Sequence, residues 1–328
     1  PRPRGGERTP APSLLCGIES SPDAAQAVAM RKTPAMMPAR MAWGPGLSSS
    51  SSSSSSNVPA KGEREEGGKD ATKEEKGKEK GRDEKGMDGK LKKKDELVLA
   101  LVKELELRKD EFKNQIVETV YFGGGTPSLL TNDQIVLLID SVYKNYKVVK
   151  NPEITLEANP DDLTKVRIKE LSKTPINRLS IGIQSFFEAD LKLMNRAHDA
   201  IEARQCLQEV TKYFKNISID LIYGIPGLSH TRWIENIETA LSFNIPHISS
   251  YALTVEPKTA LDNFIKKGII QNVDDELAEQ QFHMLIEKLE AKGFVHYELS
   301  NFGMPNYFSR NNTAYWQGKS YLGIGPSA

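Results

Sequence analysis

The sequence predicts an α/β fold in which a parallel sheet is covered by helices and the strand ends share one face. Three observations carry that prediction. Short runs of β-branched and aromatic residues alternate five times with amphipathic stretches after residue 92, the pattern of repeated βα units. The run Val120-Tyr121-Phe122-Gly123-Gly124-Gly125-Thr126-Pro127-Ser128 then stops a strand abruptly at three glycines, just before a helix. Finally, polar residues gather at or just past the carboxyl ends of later runs: Glu157-Ala158-Asn159-Pro160, Gln184-Ser185-Phe186, Asp220 with Tyr223-Gly224-Ile225-Pro226-Gly227, and Tyr251-Ala252. An open doubly wound sheet and a barrel both satisfy the first observation. The third favours a β/α barrel, where such ends converge.

Not all of the chain takes part. Residues 1–91 read as a disordered low-complexity tail: Pro and Ala scatter without period, Ser48 to Ser56 is unbroken serine, and Lys61 to Asp95 is dominated by Lys and Glu. Too few apolar side chains are present there to offset the entropy of ordering. The formal net charge of zero, from 44 basic and 44 acidic residues, gives no basic excess to argue for a nucleic-acid partner. No apolar run is long enough for a membrane span. Cys16 and Cys206 alone cannot build a disulfide framework, which fits a reducing compartment and a cytoplasmic chain, with organelle targeting left open.

Folded protein is expected over residues 92–328. Leu97, Leu101 and Leu105 share a face with Val98 and Val102 beside it, an amphipathic helix. Strands follow at Val117–Phe122, Glu153–Ala158, Arg178–Gln184, Ile217–Tyr223 and His247–Leu253. Between them lie helices near Thr131–Tyr146, Leu163–Ser172, Ala200–Phe214 and Thr231–Phe243. Thr131 and Gln134 have capping-box spacing. A last helix over Asp274–Lys292 leads to Phe294–Leu299 and an irregular segment rich in Asn, Tyr and Gly.

The glycine loop is the first candidate site, since three residues without Cβ let backbone N–H groups approach a ligand closely. It is neither a P-loop nor a dinucleotide loop, because no Gly-Lys-Ser/Thr and no G-x-G-x-x-G is present. Arg196, in Met194-Asn195-Arg196-Ala197-His198, is either a cation for a carboxylate or a surface residue of a linking loop. The five histidines show no zinc spacing and read as solvated or capping residues. Cys206, Trp233 and Trp316 read as packing.

In order, VYFGGGTPSLL, TLEANPDDLT, NRLSIGIQSF, MNRAHDA, IDLIYGIPGLS, SSYALTVEPKTAL, YELSNF and SRNNTAYWQGKSYLGIG resemble the radical-SAM enzymes of the coproporphyrinogen III oxidase type, and most of all their haem-chaperone branch, HemW. The resemblance runs from about Lys92 to the last residue. It implies a partial (β/α) barrel whose first strand carries a C-x3-C-x2-C loop for a [4Fe–4S] cluster, with S-adenosylmethionine (SAM) on the open iron. It places SAM contacts at Gly124, Gly125, Thr126, Glu157, Gln184, Arg196, Asp220 and Ala252. It also implies a tetrapyrrole partner, haem or coproporphyrinogen, and haem-accepting respiratory proteins.

One departure is large: no C-x3-C-x2-C occurs anywhere in the sequence, and two cysteines cannot supply three thiolates. The expectations are therefore a barrel with its first strand missing, an exposed edge at Val117–Phe122, truncation before the family's carboxyl-terminal domain, and a chain inactive in radical chemistry.

Overall fold

The computed structural model describes residues 13–17, for the backbone, and residues 93–326. The chain builds one nine-stranded sheet. Its elements are β1 (Ser13–Gly17), α1 (93–107), β2 (Ile116–Gly123), α2 (Asn132–Asn145), β3 (Lys147–Ala158), α3 (Lys165–Leu171), β4 (Arg178–Gln184), α4 (Glu188–Leu193), α5 (Ala200–Tyr213) and β5 (Asn216–Tyr223). The second half adds α6 (His230–Ser242), β6 (His247–Ala252), α7 (Ala260–Lys266), α8 (Asp275–Glu290), β7 (Val295–His296), β8 (Asn301–Gly303), α9 (Arg310–Trp316) and β9 (Tyr321–Ile324).

The spatial order is β7-β8-β6-β5-β4-β3-β2-β1-β9. From β9 to β6 every pairing is parallel, giving a curled half-barrel of seven strands, and β8 then turns antiparallel against β6. The five expected strands and their helices are all present. The exposed edge expected at Val117–Phe122 is not: Ser13–Gly17 lies beside it, with Leu15 opposite Tyr121 on one side and Gly323 on the other. A five-residue strand bearing Cys16 thus takes the place next to β2, so at least this part of the 1–91 tail is paired backbone. The rest of that assignment lies outside the described residues.

Parallel strands alternate between the two faces of a sheet, and here the two faces differ in chemistry. On the helix side Ile154 and Leu156, Leu179, Ile181 and Ile183, and Ile217, Ile219 and Leu221 are all buried. They pack into one cluster with Leu138, Ile168, Leu207, Val210 and Ile237 from the helices. Each such side chain contributes about 1.5–3 kcal/mol by leaving water. The other face carries Thr119, Tyr121, Glu153, Thr155, Glu157, Arg178, Ser180, Ser218, Asp220, His247 and Ser249. An open sheet with helices on both sides has no use for such a face; a barrel lumen does.

Helix starts follow the sequence closely. Thr131 and Gln134 form the predicted capping box on α2, and Asp199 with Glu202 forms a second one on α5. Helix α8 does more than cover the sheet. Its Gln281, fully buried, accepts from Gly224 N–H at 2.7 Å and donates to the Leu228 carbonyl at 2.9 Å, while Trp233 Nε1 donates to the Gln281 carbonyl at 2.8 Å. The Gly-Ile-Pro-Gly turn after β5 is fixed by that one side chain. Trp233 is core as expected, whereas Trp316 is half exposed. Among the described residues no helix is long and apolar enough to cross a membrane.

Replacing Gln281 by Leu keeps the volume but leaves Gly224 N–H and the Leu228 carbonyl buried and unpaired. The expected loss is about 2–4 kcal/mol of stability, measured by denaturant unfolding.

Candidate functional site

The glycine loop turns back on its own barrel. Gly124 (φ +75°) and Gly125 (φ +60°) both take the left-handed conformation that other residues adopt only with strain. The Gly124 N–H donates inward to Glu157 Oε2 at 3.2 Å, and the Tyr121 hydroxyl donates to Glu157 Oε1 at 2.6 Å. Glu157 is therefore gripped from two sides at the end of β3. Burial still raises its carboxyl above the usual range, since the two donors and Arg178 offset only part of the desolvation. The N–H groups of Gly125 and Thr126 make no hydrogen bond among the described residues. They are the donors the loop keeps free.

The end of β4 supplies the facing wall. Gln184 sits at φ +66°, a left-handed position worth on the order of 1 kcal/mol of strain for a residue with a Cβ. A lattice of bonds behind the site holds it there. Ser185 N–H donates to the Ile183 carbonyl at 2.8 Å, and Ser185 Oγ donates to Asp190 Oδ2 at 2.7 Å. Phe186 N–H donates to Asn236 Oδ1 at 2.7 Å, and the buried Asp190 is ion-paired to Arg232 at 2.8 Å. Burial nonetheless raises the Asp190 carboxyl, against the pull of Ser185 and Arg232. His198 adds a further contact, with Nε2 3.1 Å from the Ile183 carbonyl.

Gly182 marks where three polar side chains meet. A Cβ on it would lie 2.8 Å from Gln184 Nε2, 3.4 Å from an Arg196 terminal nitrogen and 3.7 Å from Asn159 Oδ1. The same Arg196 nitrogen donates to Asn159 Oδ1 at 2.8 Å. Arg196 is thus a lumen cation and not a surface residue, joining the ends of β3 and β4.

Asp220 completes the charge set one strand further on. Burial first, then the neighbouring Glu157, push its carboxyl up to about 7, while Arg178 and Arg196 pull the other way. Arg178, 2% exposed, is the buried cation of this lumen. Ala252 faces Tyr223 across the β5–β6 ladder, half buried at the rim.

The structure therefore brings Gly124, Glu157, Gln184, Arg196 and Asp220 to one end of one lumen, with Gly125, Thr126 and Ala252 at the ends of β2 and β6. Sequence reasoning named Asn159 only among the polar strand ends and missed Tyr121 and Arg178. The signal was available in the alternation of Arg178, Ser180, Gly182 and Gln184 with Leu179, Ile181 and Ile183, which marks a polar inward face. Two histidines are also corrected. His198 and His247 are buried, not solvated, and burial lowers both below the ordinary imidazole value. His247 bridges Ser218 Oγ and the Tyr297 hydroxyl, each at 2.7 Å.

A match to the radical SAM superfamily covers residues 88–240, the stretch from α1 to the end of α6. The chain belongs to the radical SAM superfamily. It is 33% identical over 235 residues to the heme chaperone HemW of Lactococcus lactis, covering 71% of this chain and 61% of that protein. It is 34% identical over 235 residues to a mitochondrial radical S-adenosyl methionine domain-containing protein 1 of Danio rerio, covering 71% of this chain and 53% of that protein. The radical SAM barrel is also that of the Escherichia coli coproporphyrinogen III oxidase HemN. That likeness has a TM-score of 0.60 at 23% identity and covers 70% of this chain and 56% of that one. The chain spans about three fifths of the length of the HemW relatives it matches. Within the radical SAM superfamily it lies on the HemW and coproporphyrinogen-oxidase-like branch.

The charge set makes a pH prediction. The native Asp220 holds its proton to about pH 7, while an unfolded aspartate loses it near pH 4, so the folded state binds the extra proton. The Asp220 contribution is therefore fully present below about pH 4, falls as pH rises from about 4 to about 7, and is level above that. His198 and His247, neutral in the fold, act in the opposite sense as their unfolded imidazoles lose the proton near pH 6.5. Asp220→Asn is therefore expected to gain on wild type in melting temperature as pH rises from about 4.5 to 7, with the gap level above about 7.5.

Proposed function

We propose that this chain is a HemW-like radical SAM protein whose lumen rim holds SAM and which handles a tetrapyrrole. The observation that carries the reading is the convergence of a free-N–H glycine loop, two carboxylates and Arg196 at one end of a half-barrel. SAM is a cation at its sulfonium and ammonium and an anion at its carboxylate, so it needs both signs of partner close together. Glu157 and Asp220 supply the negative side. Gly125 N–H, Thr126 and Arg196 supply donors, and Gln184 offers an amide at the point where Asn159 and Arg196 meet. Ala252 is small enough at the rim to leave room for an adenine edge.

The residues do not fit the other half of the cofactor set. A [4Fe–4S] cluster needs three thiolates here, and the sequence has Cys16 on β1 and Cys206 buried on α5. Among the described residues no group of three or more His, Cys, Asp or Glu could hold a metal. This polypeptide by itself is proposed to be inactive in radical chemistry. The missing cysteine motif is what favours that second reading over a working enzyme. Its compartment is proposed to be the cytoplasm, on the lack of a disulfide framework.

Haem handling is tested by titrating hemin into the full chain and following the Soret band, with a saturable shift expected near one equivalent. A linear, unsaturating change would remove the chaperone reading. For SAM, calorimetry on the same chain should give a dissociation constant weaker than about 10⁻⁶ M, since the iron that chelates its amino acid end is missing. Anaerobic iron–sulfide reconstitution should yield no 5′-deoxyadenosine.

A further inference from the structure

Deep in the lumen, below the rim described above, the strand register lines up three side chains. Thr155 of β3 is opposite Arg178 of β4, and Arg178 is opposite Asn216 of β5. Side chains paired in this way share a face, and Glu157, two residues beyond Thr155, shows that face to be the lumen. Each of the three has a buried polar atom with no hydrogen-bond partner among the described residues: Thr155 Oγ1, Arg178 Nε and Asn216 Oδ1. Thr155 is 0% and Arg178 2% exposed. No carboxylate stands within ion-pairing distance of the Arg178 guanidinium among the described residues; Glu157 and Asp220 feel it only through the longer-range field. An unpaired buried polar group costs about 1–3 kcal/mol, and more when charged. Three of them side by side mark a place shaped to be filled.

The geometry points to a carboxylate-binding subsite at the lumen floor, formed by Arg178, Thr155 and Asn216. The guanidinium presents parallel N–H bonds that match the two oxygens of a planar carboxylate. Thr155 adds a hydroxyl, and Asn216 adds an N–H once its amide is turned over, a rotation of the side chain alone. Neighbouring strands are about 4.8 Å apart, so the outer two of the three side chains start about 10 Å from each other, within reach of one small anion held between them. A dianion such as sulfate is disfavoured, because one arginine faces it while Glu157 and Asp220 stand nearby. None of the three residues belongs to the SAM candidate set, and the subsite does not rest on the tetrapyrrole reading.

The test uses the full chain with sodium acetate as probe, against sodium chloride and sodium sulfate at matched ionic strength. Acetate is expected to raise the melting temperature saturably and to give a binding isotherm, while chloride and sulfate do not. Arg178→Gln should abolish the saturable effect. Thr155→Val, which keeps the side-chain shape and removes only the hydroxyl, should weaken acetate about tenfold. It decides the matter if the arginine variant does not fold. Acetate acting no better than chloride, or equally on both variants and wild type, would mean that water alone fills the row. Sulfate acting as well as acetate would overturn the carboxylate assignment.

Discussion

Keeping ionic groups inside a half-barrel is the constraint on which the rest of this structure depends. Glu157, Arg178, Arg196 and Asp220 all lie in one lumen, and burial moves both carboxylates toward their neutral forms. The cations do not cancel this by contact, since neither carboxylate is ion-paired to an arginine among the described residues. Charges held near one another without direct pairing are costly in a folded protein. The apolar side of the same sheet must outweigh that cost, which accounts for the unbroken Ile and Leu alternation on β3, β4 and β5.

The second requirement is that the strand ends be held from behind. Loops at such ends have no core of their own, and two of them are tied to helices on the outer layer. Gln281 of α8 fixes the turn after β5, and Asn236 and Arg232 of α6 fix the turn after β4 through Phe186 and Asp190. Glu153, midway along β3, accepts from Arg310 and Asn311 N–H at 3.2 Å and so anchors the first turn of α9. Gln184 keeps its left-handed backbone because the residues after it are over-determined in this way. The rim is therefore a product of helix-to-loop bonds, while the sheet sets only the spacing between its parts.

Much of this was legible beforehand, and the reasons are physical. Periodicities of 2 and 3.6 gave the strands and helices of the βα units, and the spacing of Thr131 with Gln134 gave a capping box that the structure contains. The convergence of polar strand ends followed from topology. What could not be read were partnerships between residues distant in sequence. Ser13–Gly17 carries too short a pattern to be singled out within a low-complexity stretch, yet it lies between β2 and β9. Arg196 looks like a loop arginine until β3 brings Asn159 against it. His247 looks solvated until β5 and the segment after β7 place Ser218 and Tyr297 on its two nitrogens.

The glycine loop shows how the two constraints meet. Three glycines suggest a cradle of free N–H groups, but the middle one, Gly124, already donates its N–H to Glu157. The loop thereby orients the carboxylate that must receive a ligand cation, and only Gly125 and Thr126 remain to meet a ligand anion. A cation arriving beside Glu157 and Asp220 would favour their ionised forms and so release the proton that burial holds on Asp220 near neutral pH. By linkage, the ligand binds more tightly as pH rises through that region, while the empty lumen becomes less stable over the same range. The charge set that weakens the empty fold is thus the one that gives it affinity for a cation.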